Sequence, residues 1–483
     1  MSSLKKVATN SFLYTASSIL LRASSLIFFP IFSLYLTKSD YGILSITQSI
    51  GSLVNLFAGL ELGRSLTRYI FNEQDKNSAS HSSLIYTTLI SSFSFGIFLA
   101  VILYFIGPII LKPLLNDVAF FPYVFIFLLS IPFNMVIDTC RVYQKAIHNG
   151  FYAFVLDTSF FSANIILNLI FVVVLKMDVL GILFGILINT IIFSFILLFV
   201  FYKKFSFSFN SILLKKFLSY SLPLVPFSIL NILFESVDKF FLNAESGSQT
   251  SGIYYIALTF ATIFSSAKES VINAFTPWLF GNINDKPETY ISSIITNIFL
   301  ALGIIAIGIS WFSREILILL SSNPDFVVAY KYIPFTVMGL YIIFLGQLYN
   351  IKTFYYGKYN RYLFLATVAG IIADIIACYL LVKPYGINGA VAARVIAFTV
   401  HVIALMYLST LEKEKRNIYE SKKLVLTMLI FCAFMPVPLL IGQGYIFILL
   451  KIVTYALIAV IFTYYINQKF NLLEGLKKYR ASR

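Results

Sequence analysis

The chain is one apolar run after another, and many of these runs reach about 18 residues or more, enough to cross a hydrocarbon core of about 30 Å as a helix. Only 12% of its residues are charged and 59% are hydrophobic, against about 25% charged in an ordinary soluble domain. So little polar surface cannot cover a water-facing protein of 483 residues, so the solvent for most of this chain is lipid. Length alone would suggest about three soluble domains. A single helical bundle absorbs the whole chain instead.

The runs define about fourteen spans. They lie near 11–36, 41–66, 83–107, 118–140, 151–175 and 179–202, then 216–242, 252–281, 291–312, 330–351, 362–382 and 386–409, with a final pair at 424–442 and 444–467. The first follows Lys5 and Lys6 and superficially resembles a secretory signal. It is too long for the apolar region of one and lacks a small-residue cleavage site, so it reads as a retained span.

Basic residues test the count. With the N-terminus in the cytoplasm and the spans alternating, about 24 Lys and Arg fall in inner connections and tails and about 8 in outer ones. That bias supports an even number of spans with both termini inside, and it accounts for the net charge of +15. The charge belongs to short inner loops, not to a nucleic-acid-binding surface. Cys140, Cys378 and Cys432 are scattered through apolar segments, and His81, His148 and His401 are isolated, so no metal spacing exists and no cofactor is expected. The phosphate-cradling pattern GxxxxGK[ST] is missing, which argues against an ATP-driven pump.

Two echoes recur at roughly the same offset of 210 residues. Asp40-Tyr41-Gly42-Ile43-Leu44 opens the second span and Ser251-Gly252-Ile253-Tyr254-Tyr255 the eighth. Val179-Leu180-Gly181-Ile182 opens the sixth, and Ile387-Asn388-Gly389-Ala390 the twelfth. The members of each pair are six spans apart, so the halves share one orientation. This predicts an all-α polytopic membrane protein with a parallel 6+6 repeat: an N-lobe over 1–205, a C-lobe over 206–410, and two further spans with a basic cytoplasmic tail over 411–483. Repeated halves with a pathway between them are a common plan for solute transporters.

Several segments resemble one family. Leu26–Gly42 has an apolar-Pro stretch, the pair Tyr35-Leu36, a short polar loop and Tyr41-Gly42. To this are added Leu62-Gly63-Arg64-Ser65-Leu66-Thr67-Arg68-Tyr69, Ser221-Leu222-Pro223-Leu224-Val225-Pro226, Asp238-Lys239-Phe240-Phe241-Leu242, Ala274-Phe275-Thr276-Pro277-Trp278 and Tyr385-Gly386-Ile387-Asn388-Gly389-Ala390. In order and spacing they resemble the Wzx-type polysaccharide-biosynthesis flippases of the multidrug/oligosaccharidyl-lipid/polysaccharide exporter superfamily, over most of residues 10–410. The resemblance implies two six-helix lobes around a central cavity that opens alternately to each side. It also implies transport, not enzymatic activity: the movement of an undecaprenyl-diphosphate-linked oligosaccharide, such as an O-antigen unit, from the inner to the outer leaflet of the bacterial inner membrane. Membrane lipid, a coupling H⁺ or Na⁺ and polysaccharide polymerase machinery are the partners expected with it.

Ionisable residues within spans are costly unless they face a bundle interior or cavity, so they are the candidate site. Arg22, near mid-depth of the first span, suits a diphosphate, because a guanidinium fork matches its two negative charges; a structural ion pair is the alternative. Arg394 and Lys268 are expected in the same role. Lys268 and Glu269 are neighbours that point to different helix faces, so each is expected to find its partner on another helix. Arg64 and Arg68, four apart on one face, fit either a basic mouth for an anionic headgroup or ordinary inner anchoring. Glu235 and Asp238, three apart, are candidates to bind Na⁺ or share a proton, with pairing of Asp238 to Lys239 or water as the alternative; Asp374 is a candidate proton or ion-pair site, and Glu61 is a candidate for coupling or charge pairing. Asp138 and Arg141 are expected to pair locally. A drug/cation antiporter of the same superfamily should have an acid-rich cavity with few mid-span cations. A peptidoglycan-precursor flippase would use the same chemistry as the lead reading. A membrane-embedded glycan ligase or polymerase would usually carry a large outer loop, whereas the longest here, near Ser313–Tyr330, is short.

Overall fold

A computed structural model describes Leu13 and residues 26–72, 78–411, 418–440 and 445–470. Every regular element among them is helical. Inside hydrocarbon each backbone N–H and C=O must be satisfied within its own segment, and the helix does this. Eleven helices among the described residues are long and apolar enough to cross a membrane, and they correspond to expected spans two to seven and nine to thirteen. The first expected span lies largely outside the described residues. The fourteenth contributes the shorter apolar stretch Ile446–Ile458. The eighth falls within a helix that carries Lys268 and Glu269 mid-length and is too polar to count by composition.

The chain falls into two compact units. The first takes residues up to Thr259 with Leu320–Phe326 and Ile371–Ala393; the second takes Phe260–Leu319, Val327–Gly370 and the described residues from Arg394 onward. The first unit begins with α1 (Phe29–Tyr35) and α2 (Lys38–Gly59). Thr37 and Asp40 form a capping box at the start of α2, each side chain accepting from the other's backbone N–H. The second span ends earlier than the sequence suggests. Leu60 and Glu61 take left-handed φ values of 44° and 56°, and the chain restarts as α3 (Leu62–Asn72). α3 is amphipathic: Leu62, Leu66 and Ile70 are buried at helical spacing, with Arg64 and Arg68 exposed between them. Next come α4 (Ser78–Ile110), α5 (Phe125–Ala146), α6 (Gly150–Asn168) and α7 (Asp178–Lys204).

The seventh span is broken. α8 (Ser211–Ser221) and α9 (Val225–Phe234) are separated by a short 3₁₀ turn at Leu222–Leu224, where Pro223 and Pro226 cannot donate backbone hydrogen bonds. The chain breaks again at Glu235–Ser236 before α10 (Val237–Asn282), which itself turns at Gly247, φ +75°. That turn separates expected spans seven and eight.

In the second unit α11 (Glu288–Trp311), α13 (Ile333–Tyr356) and α16 (Ser421–Phe434) meet on an aromatic core. Phe299 and Tyr341 stack at 4.5 Å, Phe431 meets Tyr341 at 5.9 Å, and the Tyr341 hydroxyl donates to the Phe299 carbonyl at 3.1 Å. The connection after α11 is itself helical, with α12 (Ser313–Leu320) and a 3₁₀ segment at Pro324–Lys331. α14 (Leu363–Tyr385) and α15 (Ile387–Thr410) each cross from one unit to the other, and α17 (Tyr445–Phe470) docks in the second through Lys451, 2.9 Å from Glu315.

The glycines of the two echoes occupy matching positions. A Cβ on Gly42 would stand 2.0 Å from the Ser248 carbonyl oxygen, and one on Gly252 would stand 1.7 Å from that of Lys38. Position 38 corresponds to 248 as 42 does to 252, so the contact is reciprocal, as across a local twofold axis. A Cβ on Gly181 would meet the backbone of Phe171 and Val172 at 3.0 Å, and one on Gly389 would meet the Leu381 oxygen at 2.0 Å. In both cases the helix start presses on the end of the preceding helix.

Candidate functional site

Two cavities lie in the first unit, both along α2, the first mainly polar and the second mixed. Gln48, Ser52, Asn55 and Gly59 repeat at steps of four and three, which places them on one helical face. The first cavity, of about 190 Å³, is lined by Ser45, Gln48, Ser49 and Ser52 of α2, by Glu235, Ser236 and Lys239 at the broken helix, and by Tyr255 of α10. The Tyr255 hydroxyl donates to the Gln48 side-chain oxygen at 2.8 Å. The turn at Glu235–Ser236 sets an acid at the cavity, and there the helical ladder tightens to bonds from the Glu235 and Ser236 N–H groups to the Ile232 and Leu233 carbonyls at 3.2 and 2.9 Å. Asp238, one turn on, is fully buried; it accepts from the Tyr254 hydroxyl and, at 2.9 Å, from the Lys239 N–H.

The second cavity, also about 190 Å³, is lined by Asn55, Gly59, Glu61, Thr88, Ser92, Asp138 and Thr139 among others. Glu61 is held by Arg64 at 2.8 Å and by the Ser228 hydroxyl. The Asn134 amide donates to both Asn55 and Asp138. Arg141 binds Asp138 at 3.2 Å, as its spacing predicts, and also Asp157 at 2.7 Å, while its guanidinium lies over the Phe160 ring.

A clasp ties four connections of the same unit together. Asn116 donates to the carbonyls of Asn243 and Ala244 at 3.0 and 3.1 Å, and Asn243 donates back to those of Leu114 and Leu115 at 3.0 and 2.9 Å. The Asp117 carboxylate accepts from the backbone N–H and hydroxyl of Ser248, which also meets the Ser39 hydroxyl at 2.6 Å. Lys38 pairs with Asp325 at 3.1 Å, and Ser322 bonds Ser33 and the Pro30 carbonyl.

The other sequence candidates are placed as follows. Arg22 lies outside the described residues. Arg68 is exposed, with its guanidinium 4.3 Å from the Tyr220 ring centroid. Asp374 is buried in the first unit, with the Cys378 thiol 3.5 Å from its carboxylate. In the second unit Arg394 is 8% exposed and lies over the Phe398 ring at 5.0 Å. Lys268 and Glu269 correct the expectation drawn from their adjacency: they pair with each other at 3.2 Å, and Gln347 reaches Glu269 at 3.4 Å. Their Cα–Cβ bonds diverge, but a lysine's four-carbon stem is long enough to curl back in a site that offers it little water. Of the described sequence candidates, the structure puts Glu235 at the first cavity, buries Asp238 beside it against Tyr254, and joins Glu61 to Arg64. Sequence reasoning missed Lys239 as a lining residue and missed the polar face of α2. The available signal was that α2 is the least apolar of the eleven spans.

Residues 7–283 match the family described as polysaccharide biosynthesis protein, which is more than half of the chain. The chain belongs to that family. No curated protein matches it in sequence. Among solved structures it is similar to the lipid II flippase MurJ in an inward closed conformation, with a TM-score of 0.72 at 16% identity over 96% of this chain and 99% of that one. It is also similar to a multidrug resistance MATE family transporter of the MOP superfamily in an inward-facing conformation, with a TM-score of 0.63 at 15% identity over 83% and 99%. A MOP superfamily transporter from Pyrococcus furiosus, described as having a binding pocket of reverse polarity, gives 0.60 at 15% identity over 85% and 96%. At these identities the likeness establishes the fold. This member of the polysaccharide biosynthesis family is thus a multi-pass membrane protein with a transporter fold, and its two cavities lie along the least apolar of its spans.

Proposed function

We propose that the protein is a flippase that moves an undecaprenyl-diphosphate-linked oligosaccharide, an O-antigen or related repeat unit, from the cytoplasmic to the outer leaflet of the bacterial inner membrane. The observation that carries this reading is the polar cavity at the broken helix Glu235–Ser236, set in an apolar bundle of a polysaccharide biosynthesis protein. A large glycan cannot cross about 30 Å of hydrocarbon unaided, while its polyprenyl tail can stay in the bilayer. The protein need supply only a hydrated path and a way to alternate access. In the topology drawn from the basic residues, both termini are cytoplasmic and the clasped connections lie at the outer ends of the spans. A clasped outer side is what an alternating carrier needs while it loads from within. The lobes over 1–205 and 206–410, with the pair over 411–483, are the bodies that would move.

In this proposal Arg22, Arg64, Arg68, Lys268 and Arg394 serve the diphosphate, while Glu235, Asp238, Glu61 and Asp374 serve cation coupling or charge pairing. An inside-negative potential favours outward movement of an anion by about 2.3 kcal/mol per charge per 100 mV. A finished unit would pass to polymerase machinery on the outer side. A peptidoglycan precursor shares the diphosphate chemistry, and the lipid II flippase shares the fold. The carboxylates Glu235, Glu61 and Asp138 at the cavities favour a second reading, a drug/cation antiporter. Deleting the gene and assaying lipid-linked oligosaccharide in each leaflet separates them. Finished units trapped in the cytoplasmic leaflet support the flippase; normal flipping with altered drug sensitivity supports the antiporter.

A further inference from the structure

The connection between α7 and α8 belongs to neither cavity nor clasp. Residues 203–216 include Lys203, Lys204, Lys215 and Lys216, all exposed, and no acid. The segment is pinned in place. Phe205 and Phe217 are buried in the apolar core shared by α3, α4, α5 and α7, and the Asn210 N–H donates to the Thr87 hydroxyl at 3.1 Å. The Asn210 side chain caps α8 by accepting from the Leu213 N–H at 3.0 Å.

Between these anchors Phe207 and Ile212 each remain 70% exposed, and Tyr202 beside them is 75% exposed. Lys203 lies over the Phe199 ring at 4.4 Å. Water disfavours such rings and hydrocarbon disfavours ammonium groups. The headgroup boundary of a leaflet accommodates both, and it is where the end of a 27-residue apolar span must emerge. Four lysines without an acid are complementary in charge to an anionic surface. A soluble partner would have to match both the charge and the apolar tips, whereas the leaflet already touching α7 does so by itself.

We propose that Lys203, Lys204, Lys215 and Lys216 bind the phosphate headgroups of anionic phospholipid in the adjoining leaflet, with Phe207 and Ile212 seated among the upper acyl carbons. The site is separate from any cargo site and does not depend on which substrate is carried.

The test uses the full chain in vesicles of phosphatidylcholine alone and of phosphatidylcholine mixed with phosphatidylglycerol. Its readouts are the thermal midpoint and the phosphatidylglycerol retained in native mass spectrometry. The wild type should melt higher with phosphatidylglycerol, and added salt should shrink the gain. The K203Q/K204Q/K215Q/K216Q variant should melt like wild type in phosphatidylcholine, lose that gain, and retain phosphatidylglycerol roughly tenfold less well. Should the fourfold variant fold poorly, K203Q/K204Q and K215Q/K216Q should each lose part of the gain. An equal gain in wild type and variants overturns the proposal, as does no gain in wild type. So does the same gain from inorganic phosphate added to phosphatidylcholine vesicles, which would mark a phosphate site instead of a lipid surface.

Discussion

Arg141 holds two carboxylates at once, and its partner Asp157 is almost wholly buried, with a side chain 6% exposed. Removing the arginine leaves that carboxylate with no cation in a medium that solvates it poorly. Arg141→Leu should therefore lower stability by about 3–5 kcal/mol, and adding Asp157→Leu should recover much of the loss. Thermal melting of the purified proteins in one detergent checks both. The half-exposed pair Lys423 and Glu420, 3.7 Å apart, should behave differently: Lys423→Ala should cost no more than about 1 kcal/mol. At this scale the sequence was read well where spacing alone decides, as for Asp138 and Arg141. It was misread at Lys268 and Glu269, because the helical wheel records where a Cβ points and not how far a lysine reaches.

At the scale of elements, the close contacts are made by backbone, and backbone cannot swing aside. A methyl at Gly42 or Gly252 would overlap a carbonyl oxygen on the facing segment. Gly42→Ala and Gly252→Ala should each cost about 1–3 kcal/mol, read as lower melting and lower folded yield. Gly281→Ala, where the added methyl meets open space, should stay within about 0.5 kcal/mol of wild type. The glycines were visible as repeat echoes, but their mutual contact was not, since it depends on packing across 210 positions. The broken seventh span was partly legible from Pro223 and Pro226. The second break, at Glu235–Ser236, has no proline or glycine to announce it. The early end of the second span, at Leu60–Glu61, was hidden because the apolar run continues as the buried face of α3.

For the whole molecule, composition and basic-residue bias were enough to establish a helical membrane protein, because lipid permits so few backbone solutions. The motifs then led to the family and the transporter fold. The cavities were the least legible part: each is assembled from polar residues on several helices that look unremarkable one span at a time. Asn116 and Asn243 illustrate the same point at the clasp, since Asn116 satisfies the carbonyls of Asn243 and Ala244 while Asn243 satisfies those of Leu114 and Leu115, far away in sequence. Asn243→Ala, which strips donors from Leu114 and Leu115, should weaken the clasp by about 1–3 kcal/mol. A cysteine probe at position 118, buried in the structure, should then react faster with a water-soluble thiol reagent than in the otherwise wild-type background.

The most direct test places purified protein in vesicles with a labelled undecaprenyl-diphosphate oligosaccharide and follows how much label becomes accessible to a membrane-impermeant glycosidase. The Ser39→Cys/Ser248→Cys variant supplies the control, because those hydroxyls lie 2.6 Å apart in the clasp. Accessible label should rise with wild type and with the reduced variant, and the rise should stop when the variant is oxidised. A rise no faster than in protein-free vesicles would contradict it, as would transport that continues undiminished across the closed cross-link.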